Sequence, residues 1–247
     1  MFRRLGLGEG CTLTDTPELL AVESPILRPP YNIVLRFYDD QKRNTKERVA
    51  ELVDRYRARG APLVWLQHPT ASPQNLDEAL RAGGLMEVEE LYGMTAPTAG
   101  LRQGGVVPDG VEMREATAAD WELWAELVAL RYDFVPQSAS IYQEVFERSV
   151  GADMWMWVAL IEGRAASKVV LHVSEGTAGL YGVATAEHAR GRGLASALMA
   201  KAHEAASELG CSTCVLHSTP MARSLYRALG YRDVATFTLW ADQPTHL

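Results

Sequence analysis

A short segment rich in glycine and arginine, ARGRGLA at residues 189–195, combines residue types that can bind an anion. An apolar run ends shortly before it, and a periodic apolar pattern begins at Leu194, which together predict a turn that opens a helix. The backbone N–H groups of such a turn point toward one place, and the helix N-terminus adds a partial positive charge. The segment is therefore predicted to bind a phosphate group.

The individual residues of this turn support anion binding in different ways. Gly193 lets the chain approach an anion without a Cβ in the way, Ala195 is small, and Arg190 and Arg192 add positive charge. The spacing matches neither the GxGxxG of dinucleotide sites nor the Walker A pattern, because no Gly-Lys-Ser/Thr follows. A basic loop that caps a helix without binding a ligand is the alternative interpretation.

Strands and helices alternate through the part of the chain that contains this turn. Short apolar runs bounded by turn residues predict strands, and apolar residues at spacings of three and four predict helices. The predicted strands are residues 111–114, 154–161, 167–173, 180–185, 213–217 and 234–240. The predicted helices are one that begins with Thr117 and Asp120 as a capped start, residues 141–150, a helix from Leu194 that Gly210 ends, and residues 221–229.

The first part of the chain repeats a shorter version of this order. Its predicted strands are residues 32–37, 63–67 and 86–94, and its predicted helices are residues 46–59 and 75–82. The glycines that end these helices, Gly60 and Gly83, correspond to Gly210 and Gly230 in the second part. We interpret the pattern as a degenerate internal duplication.

The copy in the first part lacks the glycine-rich turn. The segment that stands in its place, DDQKRNTKER at residues 39–48, has no glycine and begins with two acids. A backbone site for phosphate is not expected there. The first part is expected to support the second part or to wall its ligand cleft, where Trp65, His68 and Pro69 could contribute, although a core position is expected for Trp65.

A change of composition marks the boundary between the two parts. The segment PTAGLRQGGVVPDG is rich in glycine and proline, so residues 97–110 are predicted to be a linker between domains 1–96 and 111–247. The net charge of −7 lies almost entirely in the second part. Since the chain is acidic, neither nucleic acid nor a membrane is an expected partner, and an anionic ligand must be held locally.

The cysteines indicate the compartment. Three cysteines are too few for a disulfide scaffold, and their odd number is typical of a reducing compartment, by default the cytoplasm. Cys211 and Cys214 form a CxxC without a second pair or a histidine cluster, so no metal site is predicted. The first residues lack the apolar core of a signal peptide, and no run reaches the length of a membrane span.

Two motifs in the second part occur together in one known family. The segment VATAEHARGRGLASALM carries the pattern Arg/Gln-x-x-Gly-x-Gly/Ala at Arg190, Gly193 and Ala195, and LYRALGY follows with Tyr226 and Gly230. In both motifs and in the order of its elements, the second part resembles the GNAT N-acetyltransferase superfamily. The resemblance implies an α/β fold of the α+β kind with a mixed sheet, in a two-domain member whose first domain is a partial GNAT-like copy without a CoA site.

The resemblance implies an acyl-CoA-dependent N-acyltransferase that moves acetyl from acetyl-CoA to a primary amine of a small molecule, without a metal. The CoA pyrophosphate would bind the amides of the turn, and its pantetheine would pair like an added strand with residues 183–185. The amide of Val183 or its neighbour would polarise the thioester carbonyl, and Tyr226 would protonate the departing thiolate. The implied cofactor-binding residues are Val183, Ala184, Thr185, Arg190, Gly191, Arg192, Gly193, Leu194, Ala195 and Ser196.

The acceptor side departs from the family pattern. Cys214 stands where many members have a glutamate, and a thiol is a poor general base unless it is activated. His172, His217 and Glu175 are candidates for deprotonating an amine, but each also suits a structural or solvent-facing position. The sequence therefore leaves the general base unassigned.

Aromatic residues are frequent in the segments expected to flank the acceptor. Most of them are predicted to be core residues, because aromatic side chains at helix and strand periods pack against a sheet. Tyr132, Phe134 and Tyr142 nevertheless suggest a pocket for a flat or apolar amine.

Two alternatives to this function stay open at the level of sequence. A related transferase could use another donor, either a longer acyl-CoA or an aminoacyl-tRNA. A CoA-binding regulatory module without catalysis is the second alternative. The acceptor and the oligomeric state are not specified by the residues.

Overall fold

The structure is a computed structural model that describes residues 2–6, 8–38, 44–70, 75–104, 106–129 and 136–244. The chain forms two compact units. Unit 1 comprises Met1–Leu91, Val135–Val145 and Ala235–Leu247, and unit 2 comprises Tyr92–Phe134 and Phe146–Val234.

Helices and strands alternate along the described chain. The helices are α1 (Phe2–Leu5), α2 (Thr45–Arg57), α3 (Leu76–Ala82), α4 (Trp121–Ala129), α5 (Ala139–Ser149), α6 (Leu194–Glu208) and α7 (Arg223–Ala228). The strands are β1 (Thr12–Asp15), β2 (Leu19–Glu23), β3 (Ile33–Phe37), β4 (Val64–Gln67), β5 (Met86–Pro97), β6 (Glu112–Glu115), β7 (Met154–Ile161), β8 (Arg164–Ser174), β9 (Thr177–Thr185), β10 (Thr213–Ser218) and β11 (Arg232–Ala241). No helix in the described ranges is both long enough and apolar enough to cross a membrane.

Unit 1 is a mixed sheet with α2 and α3 packed on it. The pairs β1–β2, β2–β3 and β4–β11 are antiparallel, and β3–β4 is parallel. The core contains Tyr56 of α2, Leu80 of α3, and Trp65 and Trp240 of the sheet. Trp65 is 1% exposed, which places it in the core, as expected.

The strands of unit 2 form a mixed sheet with helices on both faces. Its strands follow the order β5, β10, β9, β8, β7 and β6, and β9–β10 is the parallel pair. Leu194 and Leu198 of α6 pack on one face together with Val169 and Leu171 of β8. Leu127 of α4 belongs to a separate cluster with other residues of the sheet.

The predicted elements of both parts are found within a few residues of their predicted bounds. The strand predicted at residues 154–161 is β7, and the helix predicted at residues 141–150 is α5. Thr117 and Asp120 form the predicted capping box, in which the Asp120 carboxylate accepts the Thr117 N–H at 2.7 Å. Strands β1 and β2 were not predicted, because the half-exposed sequence TLTD of β1 has no clear apolar alternation.

The compact units differ from the predicted domains in three segments. Residues 92–96 of β5 lie in unit 2, whereas residues 135–145 and 235–247 lie in unit 1. The cause for β5 is pairing, since residues from Tyr92 to Pro97 form the antiparallel partner of β10. The division into 1–96, 97–110 and 111–247 stays a prediction about the organisation of the chain.

Four helices end in the same hydrogen-bonded turn. After α2, α3, α6 and α7, a left-handed glycine is followed by a buried residue whose N–H donates to the carbonyl five residues earlier. The left-handed glycines are Gly60, Gly84, Gly210 and Gly230. The correspondence predicted for Gly83 is wrong by one residue, because Gly83 has φ −73° and it is Gly84 that matches Gly230.

Replacing Gly210 by alanine is expected to lower the free energy of unfolding by about 1–2 kcal/mol, because an L-residue is strained in the left-handed region. A Cβ at Gly210 would meet no atom within 4 Å, so the loss would come from the backbone alone. Gly100→Ala is the matched control, since its Cβ also meets open space and its φ is not left-handed. Urea unfolding measures both variants, and equal losses would contradict the assignment.

Candidate functional site

Strands β9 and β10 separate part of the way along unit 2. Their parallel register covers Thr177 to Gly179 on β9 and Thr213 to Val215 on β10. On its other side, β9 stays paired with β8 as far as Thr185. Among the described residues, the second half of β9 therefore has an edge that no strand pairs with, and this edge faces an opening in the sheet.

A β-bulge lies in this unpaired half of β9. Lys168 of β8 is opposite Ala184 and Val170 is opposite Tyr181, so two residues of β9, Gly182 and Val183, face a single residue of β8. Gly182 has φ +56°, a left-handed value that glycine adopts without strain. The bulge turns the backbone at Val183 away from the regular pleat, at the edge of the opening.

The glycine-rich turn follows directly and leaves its amides free. Gly191 and Gly193 have φ of 76° and 78°, and Gly193 is the N-cap of α6 without a side-chain cap. The first helical bond runs from the Ala197 N–H to the Gly193 carbonyl at 3.0 Å. Within the described ranges, the amides from Gly191 to Ser196 have no hydrogen-bond acceptor. They form the predicted arrangement for an anion.

The side chains of the turn add exposed positive charge. Arg190 Nε donates to the Thr185 carbonyl at 3.4 Å, and Arg192 Nη2 donates to the Asp109 carbonyl at 3.3 Å. Neither arginine forms an ion pair with a residue that the structure describes. The Leu194 side chain is buried in the core, so this residue presents only its amide to the turn. The two arginines therefore add positive charge to the segment that carries the free amides.

The remaining residues of the predicted CoA-binding set are half-buried. Ala184 and Thr185 lie on β9, where the Ser167 hydroxyl lies 2.8 Å from both the Ala184 carbonyl and the Thr185 hydroxyl. Ala195 and Ser196 lie in the first turn of α6. The structure thus brings the residues of the predicted set together along one strand end, one turn and one helix start.

The matching helix start in unit 1 is closed by side chains. Asn44 is the N-cap of α2, and its Oδ1 accepts the Lys46 N–H at 3.1 Å. Its Nδ2 donates to Glu47 Oε1 at 3.2 Å, so an acid already occupies the positive end of the helix. Residues 39–43 of the segment predicted to lack the turn lie outside the described residues. The absence of a phosphate site in this copy stays a prediction.

Tyr226 lies on α7, in the core of unit 2. It is 6% exposed, and its ring packs edge-on against Tyr231 with the centroids 6.2 Å apart. The function predicted for its hydroxyl stays a prediction.

A buried hydrogen-bonded pair, His203 and Tyr231, lies beside Tyr226 and was not predicted from the sequence. His203 of α6 is fully buried, and its Nδ1 lies 3.0 Å from the Arg102 carbonyl. Since a carbonyl only accepts, Nδ1 carries the proton, and Nε2 accepts from the Tyr231 hydroxyl at 2.9 Å. Burial raises the pKa of Tyr231 and lowers that of His203. The sequence held one signal of this burial. His203 lies four residues after Met199 and three before Ala206, on the same face of α6.

The candidate bases lie in different places. His172 Nε2 is 3.6 Å from Asp153 Oδ2, and Glu175 is in the turn between β8 and β9, at the opposite end of β9 from the glycine-rich turn. His217 is exposed on β10. Cys214 is fully buried, and burial raises the pKa of its thiol, which makes it a poor base. No group of three or more His, Cys, Asp and Glu residues that could hold a metal occurs among the described residues.

The predicted aromatic pocket is divided by the structure. Tyr142 is 1% exposed in unit 1, where its ring packs against Tyr31 with the centroids 5.2 Å apart. Tyr142 is therefore a core residue of unit 1 and does not support the pocket hypothesis. Tyr132 and Phe134 lie outside the described residues.

Residues 152–233 match the family described as acetyltransferase (GNAT) domain. A GCN5-related N-acetyltransferase from Kribbella flavida is 19% identical, with a TM-score of 0.70 over 99% of this chain and 94% of that one. A GCN5-related N-acetyltransferase from Sphaerobacter thermophilus is 17% identical, with a TM-score of 0.65 over 97% of this chain and 85% of that one.

A tandem GNAT protein from the clavulanic acid biosynthesis pathway is 13% identical, with a TM-score of 0.64 over 92% of this chain and 79% of that one. No curated protein matched the chain. At these identities the solved structures establish the fold, and they confirm the predicted mixed α/β architecture.

Stability is expected to depend on pH through His203. The folded protein holds this side chain neutral, whereas the unfolded chain protonates it near its ordinary pKa of 6.5. Its contribution is therefore complete above pH 6.5 and is lost as the pH falls through the lower folded pKa, by at most about 1.4 kcal/mol per pH unit. His203→Gln should weaken this dependence in urea unfolding between about pH 5 and about pH 8. Parallel curves for the two proteins would show that His203 does not cause it.

Proposed function

We propose that the protein is an acyl-CoA-dependent N-acyltransferase, from the premise that residues 152–233 match the acetyltransferase (GNAT) domain family. In the proposed reaction, the acetyl group of acetyl-CoA passes to a primary amine of a small molecule by direct attack on the thioester. No metal takes part in this proposal.

One observation supports the proposal more than any other. The unpaired edge of β9 is followed, after the short 3-10 turn Glu187–Ala189, by six free backbone amides, those from Gly191 to Ser196. A molecule that pairs with a strand at one end and carries phosphates at the other would match both features. Acetyl-CoA has this form, since its pantetheine contains amide groups and its nucleotide end contains a pyrophosphate. Arg190 and Arg192 would neutralise part of its charge in an acidic protein.

The bulge in β9 suits the chemical step. Pantetheine paired along residues 183–185 would bring the thioester to the point where the backbone leaves the regular pleat. The amide of Val183 or its neighbour would then donate to the thioester oxygen as negative charge develops on it. Tyr226 would give its proton to the sulfur as the C–S bond breaks.

The acceptor is proposed from charge. Most of the net charge of −7 lies in the second part of the chain, which favours a cationic or neutral amine over an acidic one. The same charge disfavours tRNA as a donor. We also propose a cytoplasmic location, because the three cysteines are free thiols.

Titration with acetyl-CoA followed by a thiol-release assay tests the function. The assay uses a panel of primary amines that includes an arylalkylamine, a polyamine and an amino sugar. Saturable binding and amine-dependent release are expected. Saturable binding without release from any amine would favour the regulatory module, and release only with longer acyl-CoA would change the donor. A failure to bind any acyl-CoA would overturn the proposal.

Gly193→Val is expected to weaken acetyl-CoA binding by about tenfold, because strain of 1–2 kcal/mol at a left-handed N-cap displaces the amides. Gly176→Val is the matched control. Gly176 has φ +72° and open space around its Cβ, and it lies at the far end of β9. Isothermal titration compares both variants with the wild type, and equal losses of affinity would show that the turn has no special part in binding.

Tyr226→Phe is expected to lower kcat by about 10²-fold with little change in the acetyl-CoA Kd, because the ring is kept and only the proton donor is lost. Tyr92→Phe serves as the control, since Tyr92 lies on β5 with its ring against Arg223. An unchanged kcat in Tyr226→Phe would remove this residue from the mechanism.

A further inference from the structure

A buried lysine lies beside the bulge, and neither the sequence motifs nor the family match points to it. Lys168 of β8 is 4% exposed. Its side-chain amine forms no hydrogen bond or ion pair with a residue that the structure describes. Burial of an ammonium group without a counter-charge is costly, so such residues are rare in proteins unless they have a function.

The neighbours of Lys168 place its amine beside the bulge in β9. Val158 lies opposite it on β7 and Ala184 lies opposite it on β9. Its side chain reaches along β9 to Gly182, where Nζ lies 3.5 Å and Cε 3.9 Å from the position of a Cβ on that glycine. The missing side chain of Gly182 thus makes room for the amine, next to the backbone of Val183.

The groups around this amine do not neutralise its charge. Val170 also lies within 4 Å of the Gly182 Cβ position, and it packs in the cluster that contains Leu127 of α4 and Tyr181 of β9. The α4 acids, Glu122 and Glu126, are exposed. From β7 the residue opposite Lys168 is Val158, which is apolar. Tyr181 is the titratable group among the described cluster members, and burial raises its pKa.

This environment favours the neutral amine. Burial lowers the pKa of Lys168 to about 8, since no nearby charge stabilises the ammonium form. A lysine with a pKa in this range can accept a proton near neutral pH. The candidate bases predicted from sequence lack this combination of burial and position, since His172 is near Asp153 and Glu175 lies at the far end of β9.

We propose that Lys168 is the proton acceptor for the attacking amine. This inference rests on the proposed acyl transfer. The amine nitrogen attacks the thioester carbon, the new C–N bond forms, and the carbonyl π electrons move to oxygen. The nitrogen then passes one proton to Lys168 Nζ. The electron pair on oxygen then re-forms the carbonyl as the C–S bond breaks with its electron pair leaving on sulfur, and the sulfur takes the Tyr226 proton. The proton on Lys168 returns to Tyr226 through solvent, so that the products are the amide and free CoA.

The charge of Lys168 changes during the proposed reaction. Above about pH 8, where Lys168 is neutral before the attack, the buried site carries no unpaired charge while the ligands bind. It becomes positive in the step in which the thioester oxygen becomes negative, and the two charges then attract each other in a low-dielectric site.

The test compares Lys168→Met, Lys168→Arg and the wild type in thiol release from acetyl-CoA, with the most reactive amine of the panel. Both variants are expected to lower kcat by about 10²-fold, with the acetyl-CoA Kd within about twofold of the wild-type value. The wild-type rate should rise through about pH 8, and this limb should be absent from both variants. Lys201→Met, which removes a half-exposed lysine paired with Glu204, should keep both the rate and the limb.

The results distinguish a failure of proton acceptance by Lys168 from a failure of the proposed acyl transfer. Activity retained in Lys168→Arg would show that positive charge suffices, which overturns proton acceptance while the acyl transfer stands. A wild-type protein that binds acetyl-CoA but releases no thiol would overturn both proposals. An NMR titration of the wild-type Lys168 Nζ covers the case in which the variants do not fold. Titration near pH 8 supports the proposal, and titration near the ordinary value of about 10.4 overturns it.

Discussion

The early end of the pairing between β9 and β10 is the constraint on which the site depends. If the register continued beyond Gly179 and Val215, β10 would take up the edge of β9 and the sheet would be closed. Because the strands separate, β9 keeps main-chain groups that a ligand can pair with. The glycine-rich turn follows the same strand after a short 3-10 turn, so the strand edge and the free amides are close together in the chain.

The two units are built alike but differ at one helix start. Both have a parallel strand pair of limited length, β3–β4 in unit 1 and β9–β10 in unit 2, and both end their helices with a left-handed glycine. The helix that follows the first strand of each pair begins differently. Asn44 and Glu47 fill the start of α2, whereas Gly193 leaves the start of α6 open. An N-cap side chain that stabilises one helix would occupy the position of the ligand in the other.

Two buried basic residues of unit 2, His203 and Lys168, differ in their hydrogen-bond partners. His203 has a partner on each nitrogen, so its burial is balanced and it ties α6 to Tyr231. Lys168 has no such partner among the described residues, and burial lowers the pKa of its amine. A buried polar group with hydrogen-bond partners stabilises the fold, whereas one without partners remains able to take up a proton.

The sequence by itself determined the glycine-rich turn, the order of elements and the helix ends, because these depend on periodicity and on glycine within a few neighbouring residues. It misassigned Gly83 by one position, since two adjacent glycines cannot be distinguished without their φ angles. Only the tertiary structure decided where β9 leaves β10, which unit receives each end of β5 and β11, and what surrounds Lys168 and His203. Those outcomes depend on strand register and burial, which are set by residues far apart in the chain.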